Sequence, residues 1–283
     1  MTLSRFAVAA LLLISARAVA QVSSAAPSKS LAFNEPLKGT TLSIDMVPIA
    51  TAAGSPPLWM SRTEIPWEVL DVCIYGFDKK DGKGDPPGAD AVTRPTKPYI
   101  ATDRGFGHAG WPANSVSFPN ATAFCVWLSA KTGKTYRLPT HAEWTLACER
   151  SMVTAESLGD FAWFDENSDG TTHKVGSKKP DAQGVQDLFG NLAEWCVMPD
   201  GKGAVVGGSY REERRECSCR WLRRDTPKWN VSDPQLPRSI WWLADAGWIG
   251  FRVVCDGAPV SAPAEQSPPT PAPTPAPTPG AIK

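Results

Sequence analysis

The sequence predicts an α+β fold: a single domain with short irregular elements. Segments with a helical or strand-like pattern are brief and are separated by turns and loops. Twelve Trp residues are scattered over positions 59–248, which is typical of a fold packed around large aromatic side chains rather than around long helices. Between two ends without such patterns, roughly 215 residues remain, a length that suits one domain.

The first residues have the features of a secretory signal peptide, which we assign to residues 1–20. Arg5 provides a positive charge, residues 6–14 form an apolar run, and residues 18–20 form a small-residue cleavage site. The alternative is a retained membrane anchor, but the run is shorter than the ~20 residues that a membrane-spanning helix needs. We therefore expect a secreted or periplasmic protein with no transmembrane segment after signal cleavage.

Two further segments lie outside the predicted domain. Residues 21–40 are rich in Ser, Ala, Pro and Lys and are assigned as a linker. Residues 258–283 consist largely of Ala, Pro and Thr. We expect a disordered Pro-rich tail there, because Pro removes backbone donors and fixes φ. The folded domain is thus expected over residues 41–257.

The charge and cysteine content restrict the class of protein. Lys plus Arg and Asp plus Glu both number 29, so no overall charge favours nucleic acid as a partner. Seven Cys residues in an exported chain predict disulfide bonds, and the odd number leaves at least one thiol without a partner in the chain. The three His residues are scattered and lack the spacing of a zinc site.

The first part of the domain contains two predicted strands and a helix. Residues 41–49 alternate in polarity and predict the first strand, and residues 58–60 predict the second. Pro66 marks the first turn of a helix, where its missing N–H costs nothing. Residues 76–110 show no periodic pattern and predict a long surface loop. The apolar stripe of the helix comprises Val69, Leu70, Cys73 and Ile74.

Two more helices are indicated by their end signals. Residues 119–132 predict the second helix, and Gly133 is its stop signal. The third helix begins at Thr140, because Thr140 and Glu143 form the Thr-x-x-Glu pattern of a capping box. Its Cys148 lies towards the predicted buried side.

The segment GNLAEWC, residues 190–196, combines a turn with oxygen ligands. Its glycine permits the positive φ of a tight turn. Asn191 and Glu194 offer side-chain oxygens, and the carbonyl groups between them face the same concavity. Calcium binds six to eight oxygens of these kinds. The alternative interpretation is an Asn-capped turn that leads into a half-buried strand.

Five segments occur together in an order that resembles a known family. They are RLPTHAEWTLACERS (137–151), FAWFDENS (161–168), GVQDLFGNLAEW (184–195), VVGGSY (205–210) and GFRVV (250–254). In this combination they closely resemble the formylglycine-generating enzyme, or sulfatase-modifying factor, superfamily. The resemblance implies a calcium-stabilised α+β fold related to C-type lectins, with little regular secondary structure.

The same resemblance implies a metal site and disulfide bonds. One disulfide would join Cys125 to Cys255, although Cys255 stands two residues later than in catalytic members. Another would join Cys148 to the region of Cys217 and Cys219, either of which could serve. The implied calcium site consists of Asn191, Leu192, Ala193 and Glu194.

Catalytic members of the family oxidise a substrate cysteine with oxygen, using two cysteines that bind Cu(I). These cysteines stand as Cys-x-x-x-x-Cys shortly after the GGS turn, and soft thiolates select Cu(I) only if they are not bridged. Here Glu212 occupies the first position and Cys217 the second. Cys217 and Cys219 form the alternative catalytic pair, because residues two apart on a strand point to the same face.

The remaining candidate residues are expected around the cleft. Exposed Trp side chains there would form a stacking surface for a sugar or a peptide. The charged run 211–216 is interpreted either as a solvated rim or as a polar recognition surface. The expected rim comprises Glu212, Trp241, Trp242, Trp248 and Arg252.

Three functions are compatible with these residues. The first is an exported sulfatase-modifying-factor domain without copper-dependent cysteine oxidase activity. The second is an active formylglycine-generating oxidase that uses Cys217 and Cys219, and the third is a carbohydrate- or peptide-binding lectin-like module. The incomplete cysteine pattern favours the first over the second, and the first and third remain open. The partner is accordingly an unknown protein, peptide or carbohydrate.

Overall fold

The computed structural model describes residues 32–52, 54–79, 103–231 and 244–257. Within these ranges the chain forms two β-sheets, three α-helices and two short 3-10 helices. The helices are α1 (Trp67–Tyr75), α2 (Phe118–Thr132) and α3 (His141–Arg150), and the 3-10 turns are Leu158–Asp160 and Pro227–Asn230. None of the described helices is both long and apolar enough to cross a membrane.

The first sheet has five strands and joins the beginning of the domain to its end. Its order is β1-β2-β3-β9-β4, and all of its pairings are antiparallel. The predicted strands at 41–49 and 58–60 are confirmed as β2 and β3. The five strands are β1 (Phe33–Pro36), β2 (Ser43–Ile49), β3 (Leu58–Ser61), β4 (Thr135–Arg137) and β9 (Val254–Asp256).

The linker prediction for residues 21–40 is wrong where strand β1 forms. The strand lies inside these residues, and it pairs with β2 from Phe33 opposite Met46 to Pro36 opposite Ser43. The buried Glu35 carboxylate accepts hydrogen bonds from Lys134 and from the Tyr136 hydroxyl. These partners are about a hundred residues away in sequence. Local composition therefore indicated a linker, because it does not show the pairing with distant residues that makes this segment a strand.

The second sheet has four strands and contains the turn segment. Its order is β7-β6-β5-β8, with β5 and β8 parallel and the other pairs antiparallel. The segment 190–192 leads directly into the buried strand β5. The strands are β5 (Ala193–Val197), β6 (Gly203–Val206), β7 (Leu222–Arg224) and β8 (Ile249–Gly250).

The helix predictions are confirmed, with one adjustment. Pro66 precedes α1 as its N-cap residue rather than occupying its first turn, and the predicted apolar stripe of α1 is buried. Helix α2 ends at Gly133 in the left-handed conformation. Helix α3 begins with the predicted capping box of Thr140 and Glu143, in which both reciprocal hydrogen bonds are present.

The core is filled by aromatic side chains, as the Trp content indicated. The largest fully buried side chains include Trp59, Trp67, Trp144 and Trp195. The predicted rim residues Trp241 and Trp242 lie outside the described residues, as do the predicted signal peptide, the tail and much of the 76–110 loop.

Candidate functional site

The turn before β5 is tightly constrained. Gly190 has φ +68°, and a Cβ atom there would lie 2.0 Å from the Trp163 carbonyl oxygen. A residue other than glycine would therefore be both strained and in steric conflict. The Asn191 side chain fixes the turn, because its Oδ1 accepts the His173 backbone N–H (2.9 Å) and its Nδ2 donates to Glu64 (2.8 Å).

Glu194 forms a buried ion pair with Arg252. The Arg252 Nε donates to Glu194 Oε2 at 2.6 Å, a second guanidinium N–H donates to Oε1, and Trp144 Nε1 donates to Oε2 at 2.9 Å. Both charged side chains are completely buried. Arg252 also donates to carbonyl groups of Ser61 and Gln186. The rim prediction for Arg252 is therefore wrong, since Arg252 clamps the two sheets from inside the core.

The two side chains expected to bind calcium, those of Asn191 and Glu194, already have partners within the protein. The Glu194 carboxylate is neutralised by a guanidinium, and the Asn191 carbonyl oxygen accepts a backbone N–H. The Leu192 and Ala193 N–H groups donate to Glu64 and to the Trp248 carbonyl group. These bonds do not involve the carbonyl oxygens that were expected to bind calcium, so calcium binding stays a prediction. Over the described ranges, no group of three or more His, Cys, Asp or Glu side chains is placed to hold a metal ion.

The same region contains two buried acids that sequence reasoning missed. Glu64 accepts hydrogen bonds from Asn191 and Leu192, and Asp187 Oδ2 accepts the Gly176 N–H at 2.6 Å. Asp187 Oδ1 has no hydrogen-bond partner. Burial raises the pKa of Asp187 to about 6. Burial, and then the negative charge of Asp187, raise the pKa of Glu64 well above its ordinary value.

The sulfur atoms are arranged in a way that separates Cys217 from Cys219. Cys148 and Cys219 form a disulfide, which confirms one of the two implied pairings. Cys217 is a buried free thiol, and its Sγ atom lies 3.8 Å from the Ser209 carbonyl oxygen. Burial, followed by the charge of Glu212, raises the pKa of Cys217 to about 12. The alternative catalytic pair of Cys217 and Cys219 is thus wrong, because Cys219 is already bonded.

The second implied disulfide is also wrong. Cys125 and Cys255 are both buried free thiols. Cys255 lies in β9 opposite Trp59 and Tyr136. The Cys255 thiol instead donates to the Asp256 carbonyl oxygen, with the Sγ and O atoms 3.8 Å apart.

Glu212, which stands where catalytic members have their first copper-binding cysteine, is bound to its own loop. Glu212 is only 8% exposed. Glu212 Oε2 accepts the Ser209 backbone N–H at 2.8 Å and also the Ser209 hydroxyl. This carboxylate closes the loop after the GGS turn, so Glu212 lies beneath the predicted rim rather than on it.

An aromatic cluster with two arginines lies beside this loop. Trp248 contacts Trp221 and Trp229 edge-to-face, with ring centroids 6.1 Å and 5.3 Å apart. The Arg211 guanidinium lies over the Trp248 ring at 4.3 Å, and that of Arg223 lies over Trp221 at 5.1 Å. Trp248 and Trp221 are buried, and Trp229 is partly exposed. The rim prediction for Trp248 is therefore wrong, because Trp248 packs beneath the Arg211 side chain.

Comparisons with known proteins agree with this architecture. Residues 39–256 match the sulfatase-modifying factor enzyme 1-like domain. The formylglycine-generating enzyme of Thermomonospora curvata is 27% identical over 165 residues, which are 52% of this chain and 46% of that enzyme. The aligned part therefore spans less than half of that relative's length.

Two solved structures show the same fold. Treponema denticola variable protein 1 has a TM-score of 0.56 and 18% identity, covering 80% of this chain and 99% of that chain. PvdO from Pseudomonas aeruginosa has a TM-score of 0.56 and 24% identity, covering 82% of this chain and 100% of that chain. The predicted α+β fold of this superfamily is confirmed, and the chain belongs to the family of sulfatase-modifying factor enzyme 1-like domains.

Proposed function

We propose that this chain is an exported sulfatase-modifying-factor domain that acts by binding a partner and does not carry out copper-dependent oxidation of cysteine. The single observation that carries the proposal is the Cys148–Cys219 disulfide, which removes Cys219 from any metal-binding pair. Cu(I) binding of the kind expected from the family requires two unbridged thiolates. The described site offers only the thiol of Cys217.

The surroundings of Cys217 support the same proposal. A pKa raised to about 12 keeps the thiol protonated at neutral pH, so it is neither a nucleophile nor a prepared metal ligand. Glu212 supplies a hard carboxylate oxygen at the other position, and Cu(I) prefers soft sulfur. The residues present therefore do not fit copper, and no catalytic step is assigned to it.

Export is supported by two independent features. A disulfide persists in oxidising compartments and is rare in the cytosol. The expected signal peptide over residues 1–20 would direct the chain there. Cell fractionation with N-terminal sequencing tests this part, and we expect a secreted or periplasmic protein that begins at Gln21.

A Cu(I) titration of the folded, oxidised protein tests the proposal, with Glu212→Cys as the matched variant. The wild type is expected to bind Cu(I) weakly. The Glu212→Cys variant restores the Cys-x-x-x-x-Cys spacing with Cys217, so it is expected to bind about one equivalent of Cu(I) and to bind it more tightly than the wild type does. Stoichiometric tight binding by the wild type, together with conversion of a cysteine-containing peptide to an aldehyde, would overturn the proposal.

A further inference from the structure

We propose that Arg211 and Arg223, each stacked on a tryptophan of one cluster, form a receptor for an acidic peptide segment of a partner protein. The inference rests on the proposed function, since it names the class of partner that a non-oxidising domain binds. It depends on the position of the two guanidinium groups, on their free hydrogen-bond donors, and on the strand that carries one of them.

The two guanidinium groups belong to one aromatic cluster. Arg211 lies over Trp248 and Arg223 lies over Trp221, and these rings are 6.1 Å apart. Trp229 packs against Trp248 from another side at 5.3 Å. Stacking on a ring orients a guanidinium and leaves its N–H groups directed outwards. The cluster therefore carries two oriented cations, one on each of two adjoining rings.

Both arginines retain hydrogen-bonding capacity. The nearest acidic contacts are long: 3.5 Å from Arg211 to Glu212 and 3.9 Å from Arg223 to Glu216. By contrast, the buried Arg252 is bidentate with Glu194. The Arg211 and Arg223 side chains are 50% and 55% exposed. An incoming carboxylate can thus accept the paired N–H bonds that these arginines do not make within the domain.

The charge of the surrounding segment favours an acidic partner. Residues 211–228 contain seven Lys or Arg and four Asp or Glu, although the whole chain has a formal net charge of zero. This segment therefore carries an excess of three positive charges in a chain that is neutral as a whole. Charge of one sign at an interface attracts a partner of the opposite sign and rejects one of the same sign.

The strand arrangement favours a peptide over other acidic molecules. Arg223 is the middle residue of β7, and β7 is an edge strand of the second sheet, paired with β6 alone as far as the described residues go. Edge strands present backbone N–H and C=O groups to which an extended peptide can add.

Fluorescence anisotropy with a short extended Glu-rich peptide that lacks cysteine tests the inference. The wild type is expected to bind this peptide in a salt-dependent way and to bind its Gln counterpart at least about tenfold more weakly, the change expected when charged hydrogen bonds are replaced. Arg211→Gln and Arg223→Gln should each weaken binding about five- to tenfold, and the double variant should abolish it.

Arg215→Gln is the control, because Arg215 is 81% exposed, is paired with Glu213 and contacts no tryptophan of the cluster. Equal loss in this control, or equal binding of the Glu and Gln peptides, would contradict the inference. Binding of a sulfated oligosaccharide in place of the peptide would also overturn it. The assay contains no copper and no oxidisable cysteine, so its failure is distinct from failure of the proposed function, which the Cu(I) titration reports.

Discussion

At the scale of single residues, the buried ionisable side chains of the described chain include more carboxyl groups than basic groups. Glu64, Asp187 and Glu194 are buried around one guanidinium, that of Arg252. Charges taken out of water are costly unless they are paired and hydrogen-bonded, so the position of each proton and partner affects stability. Two predictions follow from specific members of this group.

The first concerns Asp187, whose pKa burial raises from 3.8 to about 6. The folded state then binds more protons than the unfolded chain between these values. The stabilisation that protonated Asp187 contributes is fully present below pH 3.8 and is lost as pH rises through about 6. In total it is on the order of 3 kcal/mol in the free energy of unfolding. We expect Asp187→Asn to flatten the stability profile over this window.

Urea unfolding at a series of pH values measures this effect. The control is Asp160→Asn, since the Asp160 side chain is 60% exposed and pairs only with Lys179 at the surface. Parallel profiles for the wild type and Asp187→Asn would show that Asp187 does not titrate in this window.

The second residue-scale prediction concerns Arg252. Replacing Arg252 with Met leaves the Glu194 carboxylate buried without its counter-charge, and breaking such a pair costs about 3–5 kcal/mol. Arg215→Met, which removes an exposed arginine, should change stability by less than about 1 kcal/mol. The free energies of unfolding in urea decide the matter, and similar values for the two variants would refute the clamp described for Arg252.

At the scale of elements, the disulfide joins helix α3 to the segment that precedes β7. It closes a loop between residues separated by 71 positions, for which loop-closure entropy suggests a stabilisation of about 4 kcal/mol. We expect a reductant to lower the melting temperature of the wild type. A Cys148→Ala/Cys219→Ala double variant should melt at a lower temperature and should not respond to the reductant.

The matched control for this experiment is Cys125→Ala/Cys255→Ala, which removes two thiols that are not bonded to each other. This variant should keep the full response to the reductant. If it lost that response while the Cys148/Cys219 variant kept it, the disulfide would join Cys125 to Cys255 and not Cys148 to Cys219.

The helices and strands differ in how far the sequence alone predicts them. The start of α3 was predictable because Thr140 and Glu143 are three residues apart and cap the helix locally. Strand β1 was not, since Glu35 is held by Lys134 and Tyr136 from a distant part of the chain. Local signals identify elements, whereas pairing between distant segments determines which of the remaining residues join a sheet.

The candidate site was likewise predictable from local sequence signals but not from contacts between distant segments. The importance of residues 190–194 was visible in the sequence, but the partners of Asn191 and Glu194 were not. Glu64 precedes Asn191 by 127 positions, and Arg252 follows Glu194 by 58. The acid that completes the buried group, Asp187, carried no signal beyond its position near the turn. The segment that suggested calcium ligands therefore also takes part in a network of hydrogen bonds and charges within the protein.

At the scale of the whole molecule, the fold of the family is complete while the sulfur arrangement expected for oxidation is not. The two sheets, the three helices and the glycine-dependent turn before β5 are all present in the described chain. The thiol pair is replaced by a carboxylate, a disulfide and one protonated thiol. The surface beside it carries arginines stacked on tryptophans, which supports the proposal of a binding function.

Mass-spectrometric mapping of cysteines in the native, oxidised protein tests this account most directly. Labelling before and after unfolding should show a Cys148–Cys219 cross-linked peptide and a Cys217 thiol that reacts only after unfolding. Labelling of both Cys217 and Cys219 in the folded protein, or a cross-link that leaves the two free beside each other, would contradict the account and restore the case for an oxidase.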